Sequence, residues 1–244
     1  MSFSERTAII YGPAALARLS RATVALFGLG GVGAAAAIDL VRAGIGRLVI
    51  TDFDAVQESN LNRLAIGFTD TVGQEKVTVL RDTARRINPV VIIEGHVRFL
   101  RGASVADNIP EADVYLDAID ALNPKVNLIL ALLRTGRPFL SVLGTAGRRD
   151  PTRLQVADIW KTHGCPLGYF VRKRLRKQAV PAKFPAIFSP EPPVGPVENP
   201  DQRDDGRGRI RRIQGSTPFV PQAAGHIAAW WLVEELLSSQ RGAS

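Results

Sequence analysis

Residues 23–33 read Thr23-Val-Ala-Leu-Phe-Gly-Leu-Gly-Gly-Val-Gly33, an apolar segment that runs directly into a glycine turn. A run of small residues follows, then a second apolar segment over residues 47–51, and then Asp52. Strand, glycine turn, helix, strand and terminal acid form, in this order, the first unit of a Rossmann-type nucleotide-binding fold. We therefore predict strands over residues 23–27 and 47–51, joined by a helix over residues 34–43.

The glycine turn is typical of a phosphate-binding site. Gly28 permits the tight turn, Gly30 lets the backbone approach a phosphate, and Gly33 lets the helix pack closely against the strand. With Gly31, they open a helix whose N-terminal N–H groups and partial positive charge favour an anion. An acid in the position of Asp52 accepts hydrogen bonds from ribose hydroxyls, so NAD and ATP fit the motif equally well.

The residues after this unit favour ATP over NAD. Asn60-Leu-Asn-Arg63 is followed by Val72-Gly-Gln-Glu-Lys76, which brings strong cations near the phosphate end. A guanidinium fork and a lysine point charge suit a triphosphate whose pyrophosphate must leave, and a hydride transfer needs neither. Arg63 or Lys76 alone would more often be a solvated surface charge, but their joint occurrence predicts a triphosphate site.

Apolar periodicity predicts the remaining layers of the fold. The predicted helices cover residues 72–87, 124–135, 169–177 and 219–237. The predicted strands cover residues 90–93, 113–116, 138–143 and 153–159. Residues 90–93 are four consecutive β-branched residues, for which we expect burial on both faces. Residues 179–216 are rich in proline and show no sustained periodicity.

Asp120 follows a predicted strand, at the edge of the sheet where open α/β folds bind ligands. Two roles fit this position. The carboxylate belongs to the ligand site, or it caps the helix that begins near Asn123-Pro124.

Composition limits the class of protein. A chain of 244 residues that is 45% hydrophobic can bury one large core, so we expect one domain over residues 1–244. Cys165 is the only cysteine, which excludes an internal disulfide and a four-cysteine zinc site within the chain. No segment approaches the roughly 20 apolar residues of a membrane span, and the first residues lack a secretory pattern. We expect a soluble cytoplasmic protein, whose net charge of +8 favours a polyanionic partner.

Five ordered motifs resemble the ThiF/MoeB superfamily of ATP-dependent carboxylate-adenylating enzymes. They are Gly28-x-Gly30-Gly31-x-Gly33, Asp52-Phe-Asp54, Asn60-Leu-Asn-Arg63, Val72-Gly-Gln-Glu-Lys76 and Asp117-Ala-Ile-Asp120. The resemblance implies an α/β fold with a Rossmann-type, mostly parallel sheet and flanking helices. It also implies binding of ATP and Mg²⁺.

The resemblance further implies a role for each matching residue. Asp52 would bind the ribose, Arg63 and Lys76 the phosphates, and Asp120 the Mg²⁺ ion, while Arg6 would reach the ATP of the other subunit of a homodimer. We therefore predict the catalytic residues Arg6, Arg63, Lys76 and Asp120. The predicted nucleotide site comprises Gly28, Gly30, Gly31, Gly33, Asp52, Asp54, Asn60, Arg63, Lys76 and Asp120.

The second half of the chain is similar to the tRNA threonylcarbamoyladenosine dehydratases, through residues 144–162, 188–191 and 215–221. This similarity implies activation of the threonyl carboxylate of threonylcarbamoyladenosine by MgATP. Attack by the neighbouring carbamoyl group would then expel AMP and close a ring, without an enzyme nucleophile. Cys165 stands where that family has an acid, and a lone thiol here is more often incidental than nucleophilic.

The resemblance divides the domain into three parts: a nucleotide-binding core (1–144), a basic tRNA-facing insertion (145–216) that is irregular in pattern, and a C-terminal helix (217–244). The predicted tRNA-binding cations are Lys161, Arg172, Lys173, Arg174, Arg176 and Lys177. A second basic cluster comprises Arg203, Arg207, Arg209, Arg211 and Arg212. The alternative for both clusters is a solvated surface.

Other functions remain open at this point. One is adenylation of the C-terminus of a sulfur-carrier protein. From another class, a nicotinamide-dependent oxidoreductase or a catalytically silent nucleotide-binding module also fits the glycine turn. We predict no sulfur-relay partner, because residues 195–212 lack the cysteines that are usual in the resembling family.

Overall fold

The computed structural model describes residues 4–100, 102–179, 183–198 and 212–238 and is built around a seven-stranded sheet. In chain order its strands are β1 (Thr23–Phe27), β2 (Arg47–Asp52), β3 (Ile92–Val97), β4 (Val114–Asp117), β5 (Phe139–Val142), β6 (Gln155–Asp158) and β7 (Pro185–Phe188). Their order across the sheet is β3-β2-β1-β4-β5-β7-β6. All neighbours are parallel except β6 and β7, which are antiparallel. Two further short strands, β8 (Val197–Glu198) and β9 (Arg212–Ile213), pair with each other.

Helices cover both faces of this sheet. They are α1 (Glu5–Tyr11), α2 (Pro13–Leu19), α3 (Gly31–Ala43), α4 (Lys76–Ile87), α5 (Leu122–Thr135), α6 (Pro166–Lys177) and α7 (Phe219–Ser238). Successive strand residues point to opposite faces, so Leu26 joins the apolar cluster under α2, α3, α4 and α7, while Phe27 joins the cluster under α5 and α6. A parallel sheet needs this cover on both sides.

The order of the strands reverses between β1 and β4, which creates the crevice where open α/β sheets bind ligands. Gly28 leaves β1 with a φ of 95°, a backbone conformation that residues with a side chain rarely adopt. A Cβ on Gly28 would also lie 2.9 Å from the carbonyl oxygen of Ala118, which follows β4. A glycine is therefore required where the two strands meet.

Helix α7 packs closely on α3 because both contact faces are built from small residues. A Cβ on Gly225 would lie 2.5 Å from the carbonyl oxygen of Val32 and 2.8 Å from Cβ of Ala35. Ala224 and Ala228 are fully buried on the same helix. The C-terminal helix thus holds the N-terminal turn of α3 in place.

Most predicted elements are confirmed. Strand β1 has the predicted bounds, β2 extends one residue further to Asp52, and α5 ends at Thr135 before the left-handed Gly136. Helix α3 begins at Gly31, three residues before the predicted start, because Gly30 is its N-cap. Helix α6 likewise begins at Pro166, since proline is favourable in a first helical turn.

One strand prediction is wrong in its bounds and in its burial on both faces, and another strand was not predicted. The strand predicted over residues 90–93 is β3, which runs from Ile92 to Val97 at the edge of the sheet, and Val90 is 82% exposed. Its β-branched residues indicate a strand but not its place in the sheet. Strand β7 lies within residues 179–216, for which no element was predicted, because four residues between prolines give no periodic signal.

No helix among the described residues is long and apolar enough to cross a membrane. The second basic cluster, Arg203, Arg207, Arg209, Arg211 and the side chain of Arg212, lies outside the part that the structure describes.

Candidate active site

The carboxyl ends of the parallel strands open into a cleft of about 580 Å³. Its walls contain the glycine turn after β1, the acids after β2, residues 118–122 after β4 and residues 144–146 after β5. The predicted site residues in these walls are Gly28, Gly30, Gly31, Asp52, Asp54, Asn60, Arg63, Lys76 and Asp120. Residues that lie far apart in the sequence therefore share one cavity.

Asp52 connects the end of β2 to the glycine turn. Its Oδ2 accepts a hydrogen bond from the N–H of Leu29 at 2.5 Å, and its Oδ1 accepts one from the N–H of Asp54 at 2.7 Å. Burial raises the pKa of Asp52, while the charge of Lys76 and these two hydrogen bonds lower it. The carboxylate is fixed in orientation, and each oxygen retains a lone pair for a ribose hydroxyl.

Lys76 is buried, and its ammonium group contacts the carboxylate of Asp54. An isolated bridge between Ala55 and Glu75 brings the two segments together, and the N–H of Lys76 donates to the carbonyl of Asp54 at 3.0 Å. The Nζ atom lies 2.9 Å from Oδ2 of Asp54. Because an ammonium group has three donors, this ion pair leaves others for a phosphate.

Arg63 lies beside the N-terminus of α3. A Cβ on Gly31 would be 3.4 Å from Cγ of Arg63, and Gln222 of α7 donates to the carbonyl of Arg63 at 3.2 Å. Its Nη1 donates to the carbonyl of Ser59 at 2.8 Å, and the remaining guanidinium donors extend the positive field of the helix end. Asn60 lines the cleft but uses its Oδ1 to accept from the N–H of Gln57.

Asp120 is exposed in the cleft beyond β4. The N-cap of α5 is Ala121, one residue later, and no side-chain hydrogen bond caps that helix. Asp120 is therefore not the capping residue, and that alternative is wrong. The carboxylate remains available to a ligand.

A buried ion pair that was not predicted from the sequence supports the floor of the cleft. Lys125 of α5 places Nζ 2.7 Å from Oδ2 of Asp117, and neither side chain is exposed. The hydroxyl of Ser141 donates to the same Oδ2 at 2.7 Å, and Lys125 also donates to the carbonyl of Ile119 at 2.8 Å. The sequence signal for this pair was Lys125, which lies on the apolar face of a predicted helix eight residues after Asp117.

Arg148 and Cys165 complete the wall on the β5 side. Arg148 is 3% exposed and donates to the carbonyls of Gly144, Ala146 and Gly164, while its Nε finds no partner among the described residues. Cys165 is the N-cap of α6, where its Sγ accepts from the N–H of Gly168 at 3.4 Å. The thiol thus has a structural role, and Arg148 adds a buried positive charge to the cleft.

Two predicted residues lie outside the walls formed by the described residues. Gly33 faces the strand instead, and a Cβ there would lie 1.8 Å from the carbonyl oxygen of Gly28. Arg6 is exposed on α1, whose residues are not buried in the described structure of a single chain.

The predicted tRNA-binding cations differ in their surroundings. Arg172 is half-buried and donates to the hydroxyl of Thr162, and burial, followed by the charge of Arg176, lowers the pKa of Arg172. The guanidinium of Arg176 lies 5.2 Å from the ring centre of Trp160. The exposed members of the set are Lys161, Lys173, Arg174, Arg176 and Lys177.

Comparison with known proteins identifies the family. The profile of the ThiF family matches residues 4–170. This range includes all the residues between Gly28 and Leu167 that line the cleft. The chain belongs to the ThiF family. Membership accounts for the joint occurrence of the glycine turn, Asp52, Arg63 and Lys76 in one chain.

Relatives within the ThiF family resemble the chain over nearly its whole length. The tRNA threonylcarbamoyladenosine dehydratase of Bacillus subtilis is 35% identical over 239 residues, which cover 95% of this chain and 93% of the relative. A crystal structure of the Escherichia coli tRNA N6-threonylcarbamoyladenosine dehydratase with ATP has a TM-score of 0.87 at 29% identity and covers 98% of this chain and 95% of that one. The same enzyme with AMP gives a TM-score of 0.85 at 30% identity, covering 97% and 94%.

Proposed function

We propose that this ThiF-family protein is an ATP-dependent tRNA threonylcarbamoyladenosine dehydratase. It adenylates the threonyl carboxylate of the modified adenosine, and the neighbouring carbamoyl group closes the ring. The observation that carries the proposal is that one cleft unites the glycine turn, Asp52, Arg63, Lys76 and Asp120. Similarity to a dehydratase over 95% of this chain supports the choice of substrate.

The cleft has an apolar end that suits the base of ATP and a cationic end that suits its phosphates. The apolar residues Phe53, Phe99 and Leu100, from the loops after β2 and β3, suit the adenine base, and Asp52 lies next to them for the ribose. Gly30, Arg63 and Lys76 surround the N-terminus of α3 and suit the phosphates. Asp120 and residues 144–146 lie on the opposite side, after β4 and β5, where the α-phosphate meets the substrate carboxylate.

Adenylation places negative charge on the α-phosphate and on the departing pyrophosphate. Lys76 and Arg63 are held in place by Asp54 and by α7 before ATP binds, so they stabilise this charge without reorganising. Mg²⁺ fits the donor set, because it is commonly held by one or two carboxylates together with substrate phosphates, and Asp120 supplies an exposed carboxylate here. When bound, the ion neutralises phosphate charge.

Ring closure needs no enzyme nucleophile. The carbamoyl group and the activated carboxylate belong to the same modified base, so proximity supplies much of the rate. A carbamoyl nitrogen or oxygen bonds to the activated carboxyl carbon, and the bond from that carbon to AMP breaks. Cys165 is 4% exposed and caps α6, which agrees with a structural role for the thiol. Since tRNA is the substrate, we expect the protein to act in the cytoplasm.

We further propose that the active form is a homodimer. Ile9 and Ile10 of α1 are 81% and 79% exposed. Burial of two adjacent exposed isoleucines in a protein interface would be favourable. A second copy on this surface would also bring Arg6 towards a neighbouring cleft. Analytical ultracentrifugation of wild type and Ile9→Asp tests this arrangement, because the variant should be monomeric.

Mass spectrometry of tRNA nucleosides tests the main proposal. Purified protein, MgATP and tRNA that carries threonylcarbamoyladenosine should yield a nucleoside lighter by one water, together with AMP and pyrophosphate. Omission of ATP is the control. Transfer of AMP to a sulfur-carrier C-terminus, with unchanged tRNA, would favour the alternative adenylation, and tight binding of NAD without ATP binding would favour an oxidoreductase.

A further inference from the structure

Helix α6 carries two aromatic side chains on its exposed face. Tyr169 is 53% exposed and Phe170 is 47% exposed. Their ring centres are 5.2 Å apart and their planes meet at 76°, an edge-to-face pair. The buried residues of the helix are Gly168, Val171 and Leu175, which lie on the opposite side at helical spacing.

Cations continue the same face towards the end of the helix. Lys173 and Arg174 lie four residues after Tyr169 and Phe170, and Lys177 lies one turn further. Side chains at this spacing are neighbours on a helix surface. All three cations are exposed, in contrast to Arg172, which donates to Thr162 on the inner side. The face therefore combines rings with positive charges.

The aromatic pair also lies close to the cleft. Cys165, Pro166 and Leu167, at the start of α6, line the cleft on the side of residues 144–146. Tyr169 is two residues after Leu167, and each helical residue advances about 1.5 Å along the axis. The exposed face of α6 therefore begins within one helical turn of residues that line the cleft, and its cations follow further along the helix.

We propose that Tyr169 and Phe170 form a stacking platform for unpaired bases of the tRNA anticodon loop, while Lys173, Arg174 and Lys177 hold the adjoining backbone phosphates. This inference rests on the proposed function and names the subsite through which that substrate binds. Unpaired RNA bases stack on exposed aromatic rings, and phosphates require cations beside them. The platform would hold neighbours of the modified adenosine while that base enters the cleft.

The two parts of the surface should respond differently to salt. Stacking releases no counterions, so Tyr169→Leu/Phe170→Leu should weaken binding of an RNA anticodon hairpin by about 5- to 150-fold for each base released, with an unchanged salt slope. Lys173→Gln/Arg174→Gln/Lys177→Gln should flatten that slope by roughly 2, at about 0.7 per lost phosphate contact. Leucine retains apolar area without a ring, so the aromatic variant isolates stacking.

Matched controls separate stacking on this platform from a general loss of RNA binding. Trp230→Leu removes an aromatic that is 54% exposed on α7 and should bind the hairpin like wild type. A fully paired RNA duplex of the same length should bind the aromatic variant and wild type equally. Tyr169→Phe/Phe170→Tyr retains both rings and should restore hairpin binding. ATP affinity and urea unfolding report whether each variant is folded.

The outcomes distinguish this inference from the proposed function. If wild type forms the cyclic nucleoside but the leucine variant binds the hairpin as tightly as wild type, the platform is wrong and the dehydratase stands. An equal loss of duplex binding, or a change in oligomeric state by ultracentrifugation, would also overturn the platform. If wild type forms no cyclic nucleoside, the proposed function fails whatever the binding data. Selective loss of hairpin binding with an unchanged salt slope supports the platform.

Discussion

Lys125 and Asp117 form an ion pair with an Nζ–Oδ2 distance of 2.7 Å, and neither side chain is exposed to solvent. Ser141 and the carbonyl of Ile119 complete the hydrogen bonds of the pair. Asp117 ends β4, and Lys125 lies in the first turns of α5, so the pair joins the strand to the helix around residues 118–121. It thereby fixes the segment that presents Asp120 to the cleft.

The first prediction concerns this pair. Lys125→Met should lower the free energy of unfolding by about 3–5 kcal/mol, because it leaves the carboxylate of Asp117 buried without a counter-charge. Lys177→Met, the same change at an exposed site, should stay within about 0.5 kcal/mol of wild type. Asp117→Asn/Lys125→Met removes both charges and should be more stable than Lys125→Met alone. Urea unfolding measures these three variants and Asp117→Asn alone, and a double variant as unstable as the sum of its two single changes would show that the two charges are not coupled.

The second prediction separates two glycines of one turn. Gly33→Ala should destabilise the fold by about 3 kcal/mol or more, because the added Cβ would lie 1.8 Å from the carbonyl oxygen of Gly28. Gly30→Ala meets no atom within 4 Å and should cost about 1 kcal/mol or less, yet it should weaken ATP binding if a phosphate approaches this backbone. Urea unfolding measures the stability of each variant, and calorimetry with MgATP measures its affinity for ATP. Unchanged ATP affinity in Gly30→Ala would place the phosphates elsewhere.

The third prediction concerns catalysis. Lys76→Met and Asp120→Asn should each lower the rate of cyclic nucleoside formation by about 10² to 10³, because each removes a group that we propose acts on transition-state charge. Lys183→Met and Asp82→Asn make the same changes at exposed sites outside the cleft and should leave the rate unchanged. Single-turnover measurements with saturating tRNA report the effect. A rate near that of wild type in either cleft variant would remove that residue from the site.

The fourth prediction concerns the pH dependence of stability. Burial raises the pKa of Asp52, so the folded protein holds this proton more tightly than the unfolded chain does. The contribution of Asp52 to stability is then largest in acid and is lost as the pH rises through the folded pKa. Asp52→Asn cannot titrate, so its stability relative to wild type should increase as the pH rises above about 4, the ordinary pKa of an aspartate. Urea unfolding across this range would contradict the linkage if the difference stayed constant.

The fifth prediction concerns Cys165. Cys165→Ala removes the acceptor at the N-cap of α6 and should lower stability by about 0.5–2 kcal/mol, whereas Cys165→Ser retains an acceptor and should not. Both variants should form the cyclic nucleoside at a rate close to that of wild type. Loss of activity in both, with unchanged thermal unfolding, would indicate a covalent role for the thiol.

The sequence by itself determined the elements and charged residues around the glycine turn. The glycine turn from Gly28 to Gly33, the acid Asp52 at the end of the second strand and the cations Arg63 and Lys76 are local signals, because each depends on backbone geometry or charge within a few residues. Strand β1 and the end of α5 at Gly136 follow from the same kind of signal. The ThiF family could therefore be recognised before any contact was known.

Tertiary structure alone decided which distant residues meet. Lys125 finds Asp117 and Ser141 because β4, β5 and α5 pack together, and no periodicity in a single segment encodes that meeting. Strand β7 exists because β5 and β6 supply its hydrogen-bonding partners, although its four residues are too few to predict a strand. The charge of the basic helix could be predicted from the sequence, but only packing turned Arg172 inwards to Thr162 and left Tyr169 and Phe170 exposed. Side-chain direction depends on neighbours that folding brings together, and these neighbours are not adjacent in the sequence.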